Sequence, residues 1–187
     1  MIIVRAPLRI SFVGGGTDLP DFYKSYPGKV ISATIDKYVY VAINPAPLLH
    51  EIIARYSIVE NVKHVKDLKN NRIRETMLLL GVSDYMEIGN FSHMKVGTGL
   101  GASSSVTVAL IKGFATYIGK RLDKKELAEM ACKVEIDLIK EPIGKQDQYA
   151  ASFGGFNIFQ FNPDGKVEIE PILLDYKKRI DLENHMM

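Results

Sequence analysis

The run Val96-Gly97-Thr98-Gly99-Leu100-Gly101-Ala102-Ser103-Ser104-Ser105 sets three glycines at alternate positions ahead of three consecutive serines. Glycine lets backbone approach a ligand closely and tolerates positive φ, and serine favours the first turn of a helix. A glycine-rich loop feeding a helix N-terminus presents free N–H groups and the positive end of the helix dipole, an arrangement suited to phosphate. The same run also fits a plain turn capping a core helix. A Walker-type loop needs lysine after its last glycine, where Ala102 stands, and a dinucleotide-binding fingerprint needs a wider final glycine spacing after the first strand.

Three further groups carry chemistry. Glu135 has Ala131, Cys132, Leu138 and Ile139 as its helical neighbours, so a carboxylate lies on an apolar stripe. It must meet a partner there, either in a structural ion pair with an arginine or as a ligand for Mg²⁺ beside phosphates. Gly144-Lys145-Gln146-Asp147-Gln148 reads as a polar loop whose aspartate could take a proton from a hydroxyl, or as an ordinary solvated connection. Arg9, on a strand, can balance charge on a transferring phosphoryl group or close a structural ion pair. Thr17-Asp18 beyond it can bind sugar hydroxyls or make an Asx-type turn.

The elements that must position these groups follow from periodicity. Residues 2–13 read as a strand broken at Pro7, with Leu8, Ile10 and Phe12 on one face and Arg9, Ser11 and Val13 on the other. Lys29 to Ala33, Lys37 to Ile43, Glu51 to Ser57 and Met86 to Ser92 read as further strands, and residues 71–80 as a helix ending at Gly81. Val106, Ala109, Leu110, Gly113, Phe114 and Tyr117 mark an amphipathic helix stopped at Gly119. Asp123 and Glu126 have capping-box spacing and open a helix expected to reach about Lys140, before Pro142. Gly155 to Asn162 and Lys166 to Leu174 make a hairpin through Asn162-Pro163-Asp164-Gly165. Mixed strands and helices give an α+β or α/β class.

A length of 187 residues supports one well-cored domain, and a net charge of +2 gives no ground for a nucleic-acid or membrane partner. One cysteine, Cys132, excludes an internal disulfide framework and suits a reducing, cytoplasmic setting. The histidines at 50, 64, 93 and 185 lack metal-ligand spacing. Tyr176 to Met187 mixes charge and apolar residues without a turn signal, as if the chain were cut there.

Ala6-Pro7-Leu8-Arg9-Ile10-Ser11-Phe12 with Gly14-Gly15-Gly16-Thr17-Asp18, then Gly97 to Ser105, then Glu135 and Asp147 spaced 12 residues apart, resemble in order the motifs of the GHMP kinase superfamily. Gly-Gly-Gly-Thr-Asp and Gly-Lys-Gln-Asp-Gln-Tyr-Ala-Ala-Ser-Phe-Gly-Gly-Phe look most like its heptose-phosphate kinase branch; galactokinases carry Gly-Glu-His-Thr-Asp where this chain has Gly14 to Asp18. The resemblance implies an α+β, two-layer fold like the second domain of ribosomal protein S5, over residues 1–175. Residues 176–187 would begin a truncated C-terminal domain.

It further implies transfer of the γ-phosphoryl group of ATP to a sugar hydroxyl, the anomeric one of a heptose phosphate. Gly97, Gly99, Leu100, Gly101, Ala102, Ser103, Ser104 and Ser105 would hold the nucleotide; Ser104 (or Ser103) and Glu135 the Mg²⁺; Gly16, Thr17 and Asp18 the sugar. Asp147 would orient or deprotonate the acceptor and Arg9 would balance charge. Without its second domain the chain is expected to be weakly active or inactive and to self-associate, as a homodimer or otherwise, through an exposed domain face. The alternatives are a kinase for fucose-like sugars, isoprenoids or amino alcohols, and a non-catalytic S5-like module binding RNA or protein.

Overall fold

The structure, a computed structural model, describes residues 1–92 and 98–186. The chain opens with strand β1 (Ile2–Val13), a short helix α1 (Pro20–Tyr23) and strand β2 (Gly28–Pro45). Strands β3 (Ile52–Arg55) and β4 (Val59–Val62), helix α2 (Asn71–Leu80) and strand β5 (Met86–Ser92) follow. Helices α3 (Ala102–Tyr117), α4 (Lys124–Cys132) and α5 (Gln146–Phe153) come next. The hairpin of β6 (Phe156–Phe161) and β7 (Val167–Pro171) and helix α6 (Tyr176–Asn184) complete the described chain.

The strands form one sheet in the order β4-β3-β5-β2-β6-β7, with β1 on the other edge of β2. β2 is its spine. Its C-terminal half pairs with β5 and its N-terminal half with β6, while β1 runs antiparallel along both. The helices cover the face on which Leu8, Val39, Val41, Ile43 and Ile88 alternate inward. Helix α3 fills the centre, with Leu110, Ile111 and Phe114 in one core cluster with Val41, Ile43 and Met77. A second cluster joins Ala128 and Cys132 to Tyr149, Phe159 and Phe161.

Several expectations are corrected. β1 is not broken at Pro7: an edge strand tolerates the missing N–H, and a register shift between Pro7 and Arg9 absorbs the irregularity. Phe12 is 40% exposed and rests on Phe156 instead of entering the core. The two strands read over 29–33 and 37–43 are one strand of 18 residues, because β1 pairs with both halves across the exposed Asp36-Lys37 step. Strand β4 gave no recognised signal.

The helix opening at Asp123 has both hydrogen bonds of the capping box, but it widens into a π-helical turn over Lys133–Leu138. There the Ile139 N–H donates to Val134 O, five residues back. Gln146, Asp147 and Gln148 are the first turn of α5 rather than loop. Residues 176–184 are helical, although α6 buries none of them.

One clasp fixes the start of α2. Glu60 accepts from the Tyr56 hydroxyl and from the backbone N–H groups of Lys69 and Asn70, at 2.6 and 3.0 Å. Asn70 in turn caps Ile73 N at 3.1 Å. Burial and the neighbouring Glu60 push Tyr56 up to about 12. Burial also acts to raise Glu60, but these donors outweigh it and lower the carboxyl.

Candidate active site

The expected phosphate loop is described from Thr98 onward; Gly97 lies outside the described residues. Gly99 and Gly101 both have φ of 72°, the left-handed region that glycine tolerates. Gly101 is the N-cap of α3 and brings no side chain to cap it. Ser105 N returns to Gly101 O, which leaves the N–H groups of the turn before it without intrahelical partners. The loop is moored to β1, since Arg9 N donates to Leu100 O at 3.1 Å and Ser105 Oγ to Pro7 O at 2.7 Å. Ser105 therefore serves the backbone. Ser104 is buried and Ser103 is partly open, with Ala102, on a cavity of about 210 Å³ walled by Ile88, Val106 and Leu110.

Under the loop, Arg9 reaches Asp147. Its Nε donates to Asp147 Oδ1 at 2.7 Å, its Nη2 lies 2.5 Å from the same oxygen, and its Nη1 donates to Gly99 O at 2.5 Å. A Cβ added at Gly101 would stand 3.3 Å from both Arg9 Cγ and Asp147 Oδ2, so the loop lies directly on this pair. Burial pushes the Asp147 carboxyl above the ordinary aspartate value. Arg9 pulls it back, and the negative charges of Asp18 and Glu135 add to the rise.

Asp18 is 3% exposed and accepts from Gly16 N, Gln146 N and Gln146 Nε2, at 3.1, 3.0 and 3.3 Å. Gly144 is required for this clasp, because a Cβ there would come within 1.9 Å of Asp18 Oδ2. The clasp locks the Gly14–Asp18 loop to the start of α5, beside Asp147. Thr17 Oγ1 turns back to Gly14 O at 2.8 Å. Ser11 Oγ and Gln146 Oε1 are both buried and lack a partner among the described residues. Ser11 Oγ and the Gln146 side-chain amide flank Gly15, near the position its Cβ would take.

Glu135 is fully buried on the π-helical turn and surrounded by donors. Oε2 accepts from Ser104 Oγ at 2.8 Å and Gln148 Nε2 at 2.6 Å; Oε1 accepts from Thr107 Oγ1 at 2.7 Å and, at a longer 3.3 Å, from Arg72 Nε. Four donors fill the capacity of a carboxylate. Ser104 spends its proton on Glu135 and keeps its lone pairs, so the pair suits a hard cation that brings most of its ligands as water and phosphate oxygen. For Glu135 to ligate directly, one donor must leave. Among the described residues no group of three or more His, Cys, Asp or Glu side chains could hold a metal. The sequence patterns assign Thr107, Gln148 and Arg72 no role at Glu135. Thr107 lies three residues after Ser104 on the same helix face, a signal that was available; Arg72 lies 63 residues from Glu135 and had none.

A larger hollow of about 610 Å³ lies between α6 and the end of α5 and shares no residue with this cluster. Convergence of charged and hydroxyl groups, rather than volume, marks the site. Among the described residues no helix is long and apolar enough to cross a membrane.

Residues 62–155, the stretch that holds the glycine-rich start of α3, Glu135 and Asp147, match the GHMP kinases N terminal domain. The chain belongs to the GHMP kinase family. It is 29% identical over 182 residues to D-glycero-alpha-D-manno-heptose 7-phosphate kinase of Campylobacter jejuni, a match covering 91% of this chain and 54% of that protein. It is 26% identical to the galactokinase of Thermotoga maritima, over 93% of this chain and 48% of the relative. The crystal structure of a D-glycero-D-manno-heptose 1-phosphate kinase from Bacteroides thetaiotaomicron superposes with a TM-score of 0.89 at 26% identity, over 97% of this chain and 62% of that one. The α+β fold is thus the ribosomal protein S5 domain 2-like fold expected from the motifs. The chain spans about half the length of the curated relatives it matches.

Proposed function

We propose that this chain is the ATP-binding part of a sugar kinase that phosphorylates a hydroxyl, the anomeric one, of a heptose phosphate. The observation that carries the reading is the Arg9–Asp147 pair lying under Gly101, beside the Asp18–Gln146 clasp. The names of the heptose-phosphate kinases similar to this chain support the acceptor class. The nucleotide phosphates lie along Gly97, Gly99, Leu100, Gly101 and the first turn of α3, Ala102 to Ser105. The acceptor enters beside Gly16, Thr17 and Asp18, where Ser11 and Gln146 offer spare hydrogen-bonding capacity.

Asp147 takes the proton of the acceptor hydroxyl. The freed oxygen bonds to the γ-phosphorus, the bond from that phosphorus to the β-bridging oxygen breaks, and ADP leaves. Arg9 holds the Asp147 carboxylate in place and offsets charge on the transferring group. Ser104 and Glu135 would hold Mg²⁺, which would supply charge neutralisation of the phosphates. Most of the rate enhancement is positioning.

Residues 1–175 form the nucleotide-binding domain in this reading, and α6, none of whose residues is buried, follows it. The reading places the protein in a reducing setting, the cytoplasm, which the single free Cys132 suits.

Thermal melts and calorimetry on the protein test the reading, with ATP–Mg²⁺, D-glycero-D-manno-heptose 7-phosphate, galactose and mevalonate as ligands. ATP–Mg²⁺ raises the melting temperature, and the heptose phosphate alone among the acceptors raises it further. A protein indifferent to ATP–Mg²⁺, or one stabilised by mevalonate and by no sugar, rules the reading out.

A further inference from the structure

Glu135 is a fully buried carboxylate whose one charged partner among the described residues is Arg72. Arg72 sits in the first turn of α2, held from behind by the Glu60 and Asn70 contacts that fix that helix start. Its guanidinium is divided between two carboxylates. Nη2 donates to both oxygens of Glu141 at 2.6 and 2.7 Å, whereas Nε reaches Glu135 Oε1 at only 3.3 Å. The strong contact is therefore the anchor and the weak one is the reach. The Arg72 side chain is 23% exposed and borders the same cavity as Ser103, so it stands between that cavity and Glu135.

A dry carboxylate without a cation is costly, and a site meant for a divalent ion faces that cost whenever the ion is away. The other donors on Glu135, from Ser104, Thr107 and Gln148, are neutral. We propose that Arg72 is a stand-in cation: it neutralises Glu135 while the metal is absent and gives up its 3.3 Å contact when a divalent cation arrives, staying tethered to Glu141. Arg72 is thus a positioning residue that keeps the cation site formed in the empty protein and competes with the metal for it. The inference rests on the reading of Ser104 and Glu135 as the cation site.

The test follows Mn²⁺ titrated into ADP-saturated protein by electron paramagnetic resonance, together with melting temperatures with and without the metal. Arg72→Gln tightens Mn²⁺ by about three- to tenfold, because a competing positive charge is gone. It lowers the melting temperature without metal, and saturating Mn²⁺–ADP removes most of that deficit. Arg72→Lys restores both values towards those of the parent. Glu141→Gln, which frees Arg72 to lean fully on Glu135, weakens Mn²⁺ by a similar factor and keeps the inference testable if Arg72→Gln does not fold.

An equal stability deficit with and without Mn²⁺, or weaker Mn²⁺ binding by Arg72→Gln, overturns the stand-in role. Unchanged Mn²⁺ affinity in Glu141→Gln overturns it as well. If the parent protein binds ADP but no Mn²⁺, or if Glu135→Gln binds Mn²⁺ as tightly as the parent, the cation-site reading itself fails and this inference falls with it.

Discussion

Arg9 on β1 and Asp147 at the start of α5 meet at 2.5 to 2.7 Å across 138 residues of chain, directly beneath the left-handed Gly101. The pair joins the first strand, the glycine-rich loop and the helix that carries the proposed base. Disturbing any of the three should be felt at the other two.

Asp147→Asn should lower phosphoryl-transfer turnover by roughly 10²–10⁴-fold, the usual worth of a positioned base. Its pKa is raised in the fold, mainly by burial, so folding favours the protonated form. The stability this group contributes is present below the ordinary value of 3.8 and is lost as pH rises through the raised one. Asp147→Asn escapes that loss. Melting curves at pH 7 should show it as stable as the parent or more so, with the difference shrinking towards pH 4. The acid limb of the rate profile should lie above the ordinary carboxylate range; a limb at or below that range would remove Asp147 as its source.

Gly99 and Gly101 separate backbone strain from displacement of the pair. Both have φ of 72°, but a Cβ at Gly99 meets nothing within 4 Å among the described residues, whereas one at Gly101 meets Arg9 and Asp147 at 3.3 Å. Each alanine variant should lose about 1–2 kcal/mol of stability to the left-handed backbone. Only Gly101→Ala should also cut turnover by more than the nucleotide affinity it loses. Steady-state kinetics beside urea titrations of the two variants make the comparison.

Glu135→Ala strands four donors, one of them charged, in a dry site and should cost about 3–5 kcal/mol in urea unfolding. Ser104→Ala removes a single donor and should cost about 1–3 kcal/mol. Calorimetry should then show Ser104→Ala losing most of the Mg²⁺ dependence of nucleotide binding while remaining folded. Full retention of that dependence would take Ser104 out of the cation site.

Ser11→Ala removes a buried hydroxyl that has no partner among the described residues, so it should not lower the melting temperature. If the hydroxyl serves the acceptor, heptose phosphate affinity should fall about tenfold while ADP affinity holds. Lower stability with unchanged sugar affinity would make Ser11 structural.

Short-range chemistry was legible in the sequence. The capping box at Asp123 and Glu126, the left-handed Gly81 closing α2, and the bounds of β5 at Met86 and Ser92 each depend on residues within a turn or two. Motif order pointed to the family and, with it, to a glycine loop, Glu135, Asp147 and Arg9 as one site. The polar step at Asp36-Lys37 hid the continuity of β2, because a single strand cannot show that β1 will pair with both of its halves. The start of α5 at Gln146 was hidden because Asp18, 128 residues away in sequence, supplies the acceptor for the Gln146 N–H.

The sequence by itself determined the local elements, the motif order and the need for a partner at Glu135. Only the tertiary structure decided that Arg72, Thr107 and Gln148 share the partner's role with Ser104, and that Arg9 closes on Asp147. Those contacts span from 13 residues to 138. They exist because the long β2 and the central α3 bring distant segments together, and no local periodicity encodes which distant charges a buried carboxylate will meet.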